Sequence, residues 1–159
     1  MDFALTDEQR ALRDAAQDFA TSEFSDKAKQ LEESNIPVSF DDRMCMGEHG
    51  FLGVNVPTEY GGLGLDDLTA VLILEEYAKV SPAIAFPVFE SSFGPAKAIE
   101  RFGTDALKQR ILPRICCGRS IVSIAMSEPG AGSALTDLKT RGEDNGAVIT
   151  LNGQKRWCS

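Results

Sequence analysis

Catalytic side chains of several common types are scarce in this chain. Among its 159 residues there is one histidine, His49. A Ser-His-Asp or Cys-His scheme would have to be built on it. His49 stands beside Gly50 at an expected helix end, where an imidazole meets free carbonyls, so a structural role is the favoured reading. The four cysteines, Cys45, Cys116, Cys117 and Cys158, form neither a CxxC motif nor a disulfide framework. That usage points to reduced thiols in a cytoplasmic setting and suggests no metal site. Runs of Lys or Arg are missing and the net charge is -8, which argues against nucleic acid as a partner, because a phosphate backbone needs a basic face. The acidity serves solubility instead. Long hydrophobic runs are missing too. The most apolar stretch, 68–78, is interrupted by Glu75 and Glu76 and is far too short to span a bilayer. Met1-Asp2-Phe3 leads straight into helix-like sequence, with no basic or apolar leader. The Gly130-Ala131-Gly132 stretch fails the dinucleotide fingerprint, since Leu135 stands at the third glycine.

What is present is the composition of a folded protein: 43% hydrophobic and 25% charged residues. The length suffices for one domain, or for one domain and part of another. Thr6 with Gln9 three residues later is a capping-box pattern. Leu12, Ala16 and Phe19 repeat at helical spacing behind it, and Asn35-Ile36-Pro37 ends the helix. Ser39 caps a short second helix that closes near Gly47 or Gly50. Residues 51–59 read as irregular, and Tyr60-Gly61-Gly62-Leu63-Gly64 as a glycine turn. Asp66 or Asp67 caps a third helix, with Glu75-Glu76 as its solvated edge and Ser81-Pro82 as its stop. A fourth helix is predicted over 91–102. A fifth, capped by Thr104, runs to about Gly118 and is kinked or divided by Pro113.

Beyond Gly118-Arg119-Ser120 the pattern turns to strands: 121–126, 138–141 and 147–151. Asn152-Gly153 carries a hairpin signal, with 154–159 as the returning strand. The expected organisation is therefore a helical domain over 1–119 and the start of a β domain over 120–159. A hairpin left with an unpaired edge at the last residue suggests a fragment. The loop Ser127 to Ser133 is built from small and hydroxylated residues. Its backbone N–H groups can approach an anion or ring oxygen closely. A tight β connection explains the same residues, and local physics leaves both readings open.

Five blocks stand in order along the chain: Phe3-Ala4-Leu5-Thr6-Asp7-Glu8-Gln9; Val56-Pro57-Thr58-Glu59-Tyr60-Gly61-Gly62-Leu63-Gly64; Phe102-Gly103-Thr104 with Leu112-Pro113; Ala125 to Ser133; and Asn152 to Ser159. Together they resemble the acyl-CoA dehydrogenase family. The resemblance implies a mainly α N-terminal helical domain followed by an incomplete antiparallel β-barrel domain. It also implies FAD as cofactor, lined by Ile124, Ala125, Met126, Ser127, Gly132, Ser133, Trp157, Cys158 and Ser159. Met126 and Ser127 would lie near the flavin's pyrimidine edge, Gly132 and Ser133 toward its phosphates. Ser133 would also touch the acyl-CoA substrate, Trp157 would flank the isoalloxazine, and Ser159 would hydrogen-bond near its N5 and O4. Without the resemblance, Trp157 reads as plain core.

The implied reaction is α,β-desaturation of an acyl-CoA thioester in fatty acid β-oxidation, with hydride transfer to flavin N5. The α-proton goes to a glutamate that this chain does not contain. No catalytic residue is therefore expected here, and the chain alone is expected to bind FAD weakly or not at all and to be inactive. Electron-transfer flavoprotein as partner and a homotetramer or heteromer follow from the same likeness. Ala134, where the family often has aspartate, Ile124, where an aromatic is frequent, and Cys158, where an aliphatic is common, bear on substrate subclass and flavin environment. A related flavin oxidase or monooxygenase, and a non-catalytic helical interaction module, are the competing readings.

Overall fold

The computed structural model describes residues 4–158. Two compact units divide the chain, Met1–Val122 and Ser123–Ser159.

The first unit is helical. Its opening helix, α1 (Asp7–Ser34), begins at a complete capping box between Thr6 and Gln9, as the sequence predicts. It ends where Asn35 adopts a left-handed conformation with φ 51°. Along α1 the buried side chains are Ala16, Ala20, Phe24 and Ala28, a period-four stripe with Phe19 packed at its margin. Ser39 caps α2 (Phe40–Glu48) by accepting from the Asp42 N–H. A short 3-10 segment at Thr58–Tyr60 leads into the glycine turn. Gly61 there has φ 85°, a region that side chains resist. Gly62 is required for a different reason, because a Cβ would stand 2.1 Å from the Val56 carbonyl oxygen.

Asp66 caps α3 (Asp67–Val80). The Ser81-Pro82 stop is real for α3, yet it also starts a helix absent from the sequence reading, α4 (Pro82–Ser92). Ser81 accepts from the Ala83 N–H, and Pro82 at the first turn forgoes an N–H that would have had no helical partner. The single helix expected over 91–102 is thus two. The chain breaks at Phe93, Gly94 takes φ 37°, and α5 (Gly94–Phe102) restarts with Pro95. Thr104 caps α6 (Asp105–Cys116), which carries Pro113 inside an undivided helix.

α1 packs on α3, α3 on α4, α4 on α5 and α5 on α6. The main core gathers Phe24, Met46, Ile73, Tyr77, Ile84 and Val88, all fully buried. Tyr77 meets Phe24 at a tilt and Phe51 edge-on, at ring-centre distances of 6.1 and 5.6 Å, and burial pushes its hydroxyl far above the usual tyrosine range. A second cluster joins Val56, Tyr60, Ala96, Leu112 and Ile115. The expected solvated edge of α3 is corrected: Glu75 is exposed, but Glu76 is buried and paired with Lys79 at 2.7 Å. Charge in a helix sequence does not reveal which residue the neighbouring α1 covers.

The second unit holds two strands among the described residues, β1 (Arg141–Asp144) and β2 (Ile149–Asn152). They pair antiparallel, Arg141 opposite Asn152 and Asp144 opposite Ile149. The hairpin turn therefore lies at Asn145-Gly146, not at the expected Asn152-Gly153. Gly146 takes φ 82° and donates its N–H to Asp144 Oδ1 at 2.8 Å. Gly153 instead accommodates close packing, since a Cβ would stand 2.1 Å from Thr140 Oγ1. Residues 121–126 and 154–158 carry no ladder, which corrects the strands expected there. The strand expected over 138–141 is displaced to β1.

Candidate functional site

The loop that the sequence singles out is organised around one carboxylate. Glu128 and Ala131 exchange backbone hydrogen bonds, Glu128 N–H to Ala131 at 2.8 Å and Ala131 N–H to Glu128 at 3.2 Å, closing the Pro129-Gly130 turn. The Glu128 side chain is 6% exposed. Its Oε2 accepts from the Lys139 N–H at 2.6 Å, and its Oε1 from the Thr140 N–H at 2.9 Å and the Lys155 ammonium at 3.0 Å. Hydrogen bonds from Thr140 first, then Lys139 and Lys155, hold the carboxyl down at about 2. These donors lie 11, 12 and 27 residues away along the chain. Sequence reasoning missed Glu128 and Lys155 for that reason. The only local signal was an acid preceding Pro-Gly.

The same residues bring the loop to the end of the described chain. Lys155 Nζ also donates to the Met126 carbonyl at 3.1 Å, and the Arg156 N–H to the Ser127 carbonyl at 2.9 Å. Met126 and Ser127 are thereby set beside the segment that bears Trp157 and Cys158. Gly132 and Ser133 follow the turn, and Ile124 and Ala125 precede it. Ser159 lies outside the described residues.

Trp157 is not core: it is 82% exposed, its backbone has φ 59°, and the Arg156 guanidinium sits 5.0 Å from its ring centre. Met126 and Ile124 are also exposed, as are Gly132 and Ser133. A Cβ at Gly130 or Gly132 would meet nothing within 4 Å, and neither glycine has a positive φ. This chain itself gives no reason for glycine at either position. Such an edge leaves backbone N–H groups open to close approach by another group. Chemically these residues offer two hydroxyls, an indole and a thioether: apolar groups with a few polar contacts.

Elsewhere, His49 serves its helix. Its Nδ1 lies 2.8 Å from the Cys45 carbonyl, which accepts, and its ring packs 4.4 Å from Phe19. The cysteines are free, Cys116 buried and its thiol pushed up to about 11 by burial. Among the described residues no group of acids, histidines and cysteines is arranged to hold a metal ion, and no helix is long and apolar enough to cross a membrane.

Comparison with known proteins gives the architecture its context. Residues 6–119 match the family described as acyl-CoA dehydrogenase, N-terminal domain. The mitochondrial isovaleryl-CoA dehydrogenase of Pongo abelii is 34% identical over 96% of the chain, and that stretch is 36% of its own length. The crystal structure of an acyl-CoA dehydrogenase from Geobacillus kaustophilus superposes on 99% of the chain with a TM-score of 0.91 and 32% identity, covering 41% of that protein. An acyl-CoA dehydrogenase from Bacillus anthracis, complexed with FAD, superposes with a TM-score of 0.85 and 29% identity over 97% of the chain, which is 26% of that protein. The chain thus spans well under half the length of these relatives. The family match covers residues 6–119, the superposition covers 99% of the chain, and this chain belongs to the acyl-CoA dehydrogenase family.

Proposed function

We propose that the chain forms the amino-terminal part of an FAD-dependent acyl-CoA dehydrogenase. Residues 1–119 serve as its helical domain and residues 120–159 as the opening of its middle β domain. The FAD-facing surface consists of Ile124, Ala125, Met126, Ser127, Gly132, Ser133, Trp157, Cys158 and Ser159. One observation carries this reading: the hydrogen bond from the Arg156 N–H to the Ser127 carbonyl joins the small-residue loop to the exposed Trp157. Open space beside the loop supports the fit, since a Cβ at Gly130 or Gly132 would meet nothing of this chain within 4 Å and room remains for a group from outside it. Bound FAD supplies a two-electron acceptor for α,β-desaturation of an acyl-CoA thioester.

The chain's own residues bind and orient. Ser127 and Ser133 offer hydroxyls that donate or accept at the edge of a ring or at a phosphate. Gly132 lets backbone N–H groups come close to an anion. Trp157 and Met126 exclude water from one side of the ring. Ser133 also contacts the acyl-CoA. The enzyme works in the cytoplasm as a homotetramer or heteromer and passes electrons to an electron-transfer flavoprotein.

The test is direct. The product of the whole reading frame should purify with bound flavin, lose its visible flavin absorbance on addition of an acyl-CoA, and reduce electron-transfer flavoprotein rather than consume oxygen. Residues 1–159 alone should bind FAD weakly or not at all and should not turn over. A flavin-free, inert full product would sink the proposal.

A further inference from the structure

The candidate surface is assembled by residues that do not themselves face it. Glu128 is acceptor-only when ionised, and it receives three donors: the Lys139 and Thr140 N–H groups and the Lys155 ammonium. Lys155 divides its donors between that carboxylate and the Met126 carbonyl. The next residue, Arg156, bonds Ser127. Met126, Ser127 and Glu128 are therefore each gripped by Lys155 or Arg156. Directly after this grip, Trp157 adopts φ 59° and presents its indole outward. A left-handed backbone is unusual for a residue with a β-carbon and persists where neighbouring contacts over-determine it.

We propose that Glu128 and Lys155 are positioning residues: their ion pair seats the Trp157-bearing segment against the backbone of 126–128 and so sets the geometry of the flavin-facing surface. The inference rests on the flavin reading above and goes beyond it, since neither residue faces the cofactor. The chemistry requires a carboxylate at 128. A carboxamide of the same shape would turn its NH2 toward at least one of the three donors and leave that donor unpaired. It equally requires a long cationic side chain at 155, because an apolar stem loses both the Met126 and the Glu128 contacts.

The experiment uses the full-length protein, with Glu128→Gln, Lys155→Met and Lys155→Arg as variants. Backbone hydrogen exchange is read at Arg156 without flavin, FAD affinity by titration, and folding by far-UV circular dichroism. Glu128→Gln and Lys155→Met should keep the helical signal, lose protection at the Arg156 amide, and bind FAD about tenfold more weakly or worse. Lys155→Arg, which keeps a cationic donor, should recover most of that affinity. Should Glu128→Gln fail to fold, Lys155→Met decides the same question, because it leaves both backbone bonds to Glu128 in place. A wild type that holds FAD, with variants that hold it equally tightly, would overturn the positioning role and leave the flavin reading standing. A wild type that holds no FAD would overturn both.

Discussion

The helical unit and the unit from Ser123 onward solve the burial problem differently. In the first, apolar side chains from α1, α3 and α4 meet one another, and Phe24, Ile73, Tyr77 and Ile84 are shut off from solvent. In the second, Ile149 and Leu151 remain 66% and 74% exposed although they lie in a strand. Among its described residues, those buried are Glu128 and Ala131. One unit is held by packed hydrocarbon, the other by the β1–β2 ladder and a carboxylate with its hydrogen bonds. Hydrophobic burial is non-directional and tolerant of detail. A hydrogen-bonded carboxylate is directional, so the second unit depends on a few specific atoms.

That contrast can be attacked at several points. The largest effect is expected in the hydrocarbon core: Phe24→Ala should cost about 3–5 kcal/mol in chemical denaturation, a loss of transfer energy plus a cavity. Gly62→Ala should cost about 1–3 kcal/mol, because the new Cβ meets the Val56 carbonyl, which cannot retreat. Thr6→Ala should cost about 1 kcal/mol by opening the capping box of α1. In the second unit, Leu151→Ala and Gly132→Ala should each change stability by no more than about 0.5 kcal/mol. Gly132→Ala should nevertheless weaken FAD binding in titrations of the full-length protein, separating a site glycine from a structural one.

A pH series probes the carboxylate itself. The folded Glu128 carboxyl lies at about 2, below its ordinary value of 4.5. A depressed folded value means that its contribution is complete above about pH 4.5 and is lost as pH falls toward about 2. Amide signals of Lys139 and Thr140 followed by NMR should report that loss, and Glu128→Gln should abolish the transition. An unchanged acid transition in the variant would show that another group carries it.

Much of the helical unit was legible because its signals are short. Thr6 with Gln9, Ser39, Asp66 and Thr104 each cap a helix by bonding an N–H within three residues. α4 was missed because Ser81-Pro82 is both a stop and a start, and the sequence reading took only the stop. The hairpin was misplaced because two Asn-Gly pairs carry the same turn signal. What separates them is the neighbour: Gly146 faces open space, whereas Gly153 lies against Thr140. The candidate loop was visible as small and hydroxylated residues, but its supports, Glu128 and Lys155, were not.

Sequence alone determined the helix caps, the glycine turn and the family to which the chain belongs, since each is written in residues close together or in blocks of fixed order. Tertiary structure decided that Glu76 is covered while Glu75 is not, which Asn-Gly makes the turn, and that a carboxylate joins segments up to 27 residues apart. The physical reason is range. Backbone propensity and capping act within a turn or two, whereas burial and ion pairing depend on which distant segment arrives alongside, and no local pattern encodes that arrival.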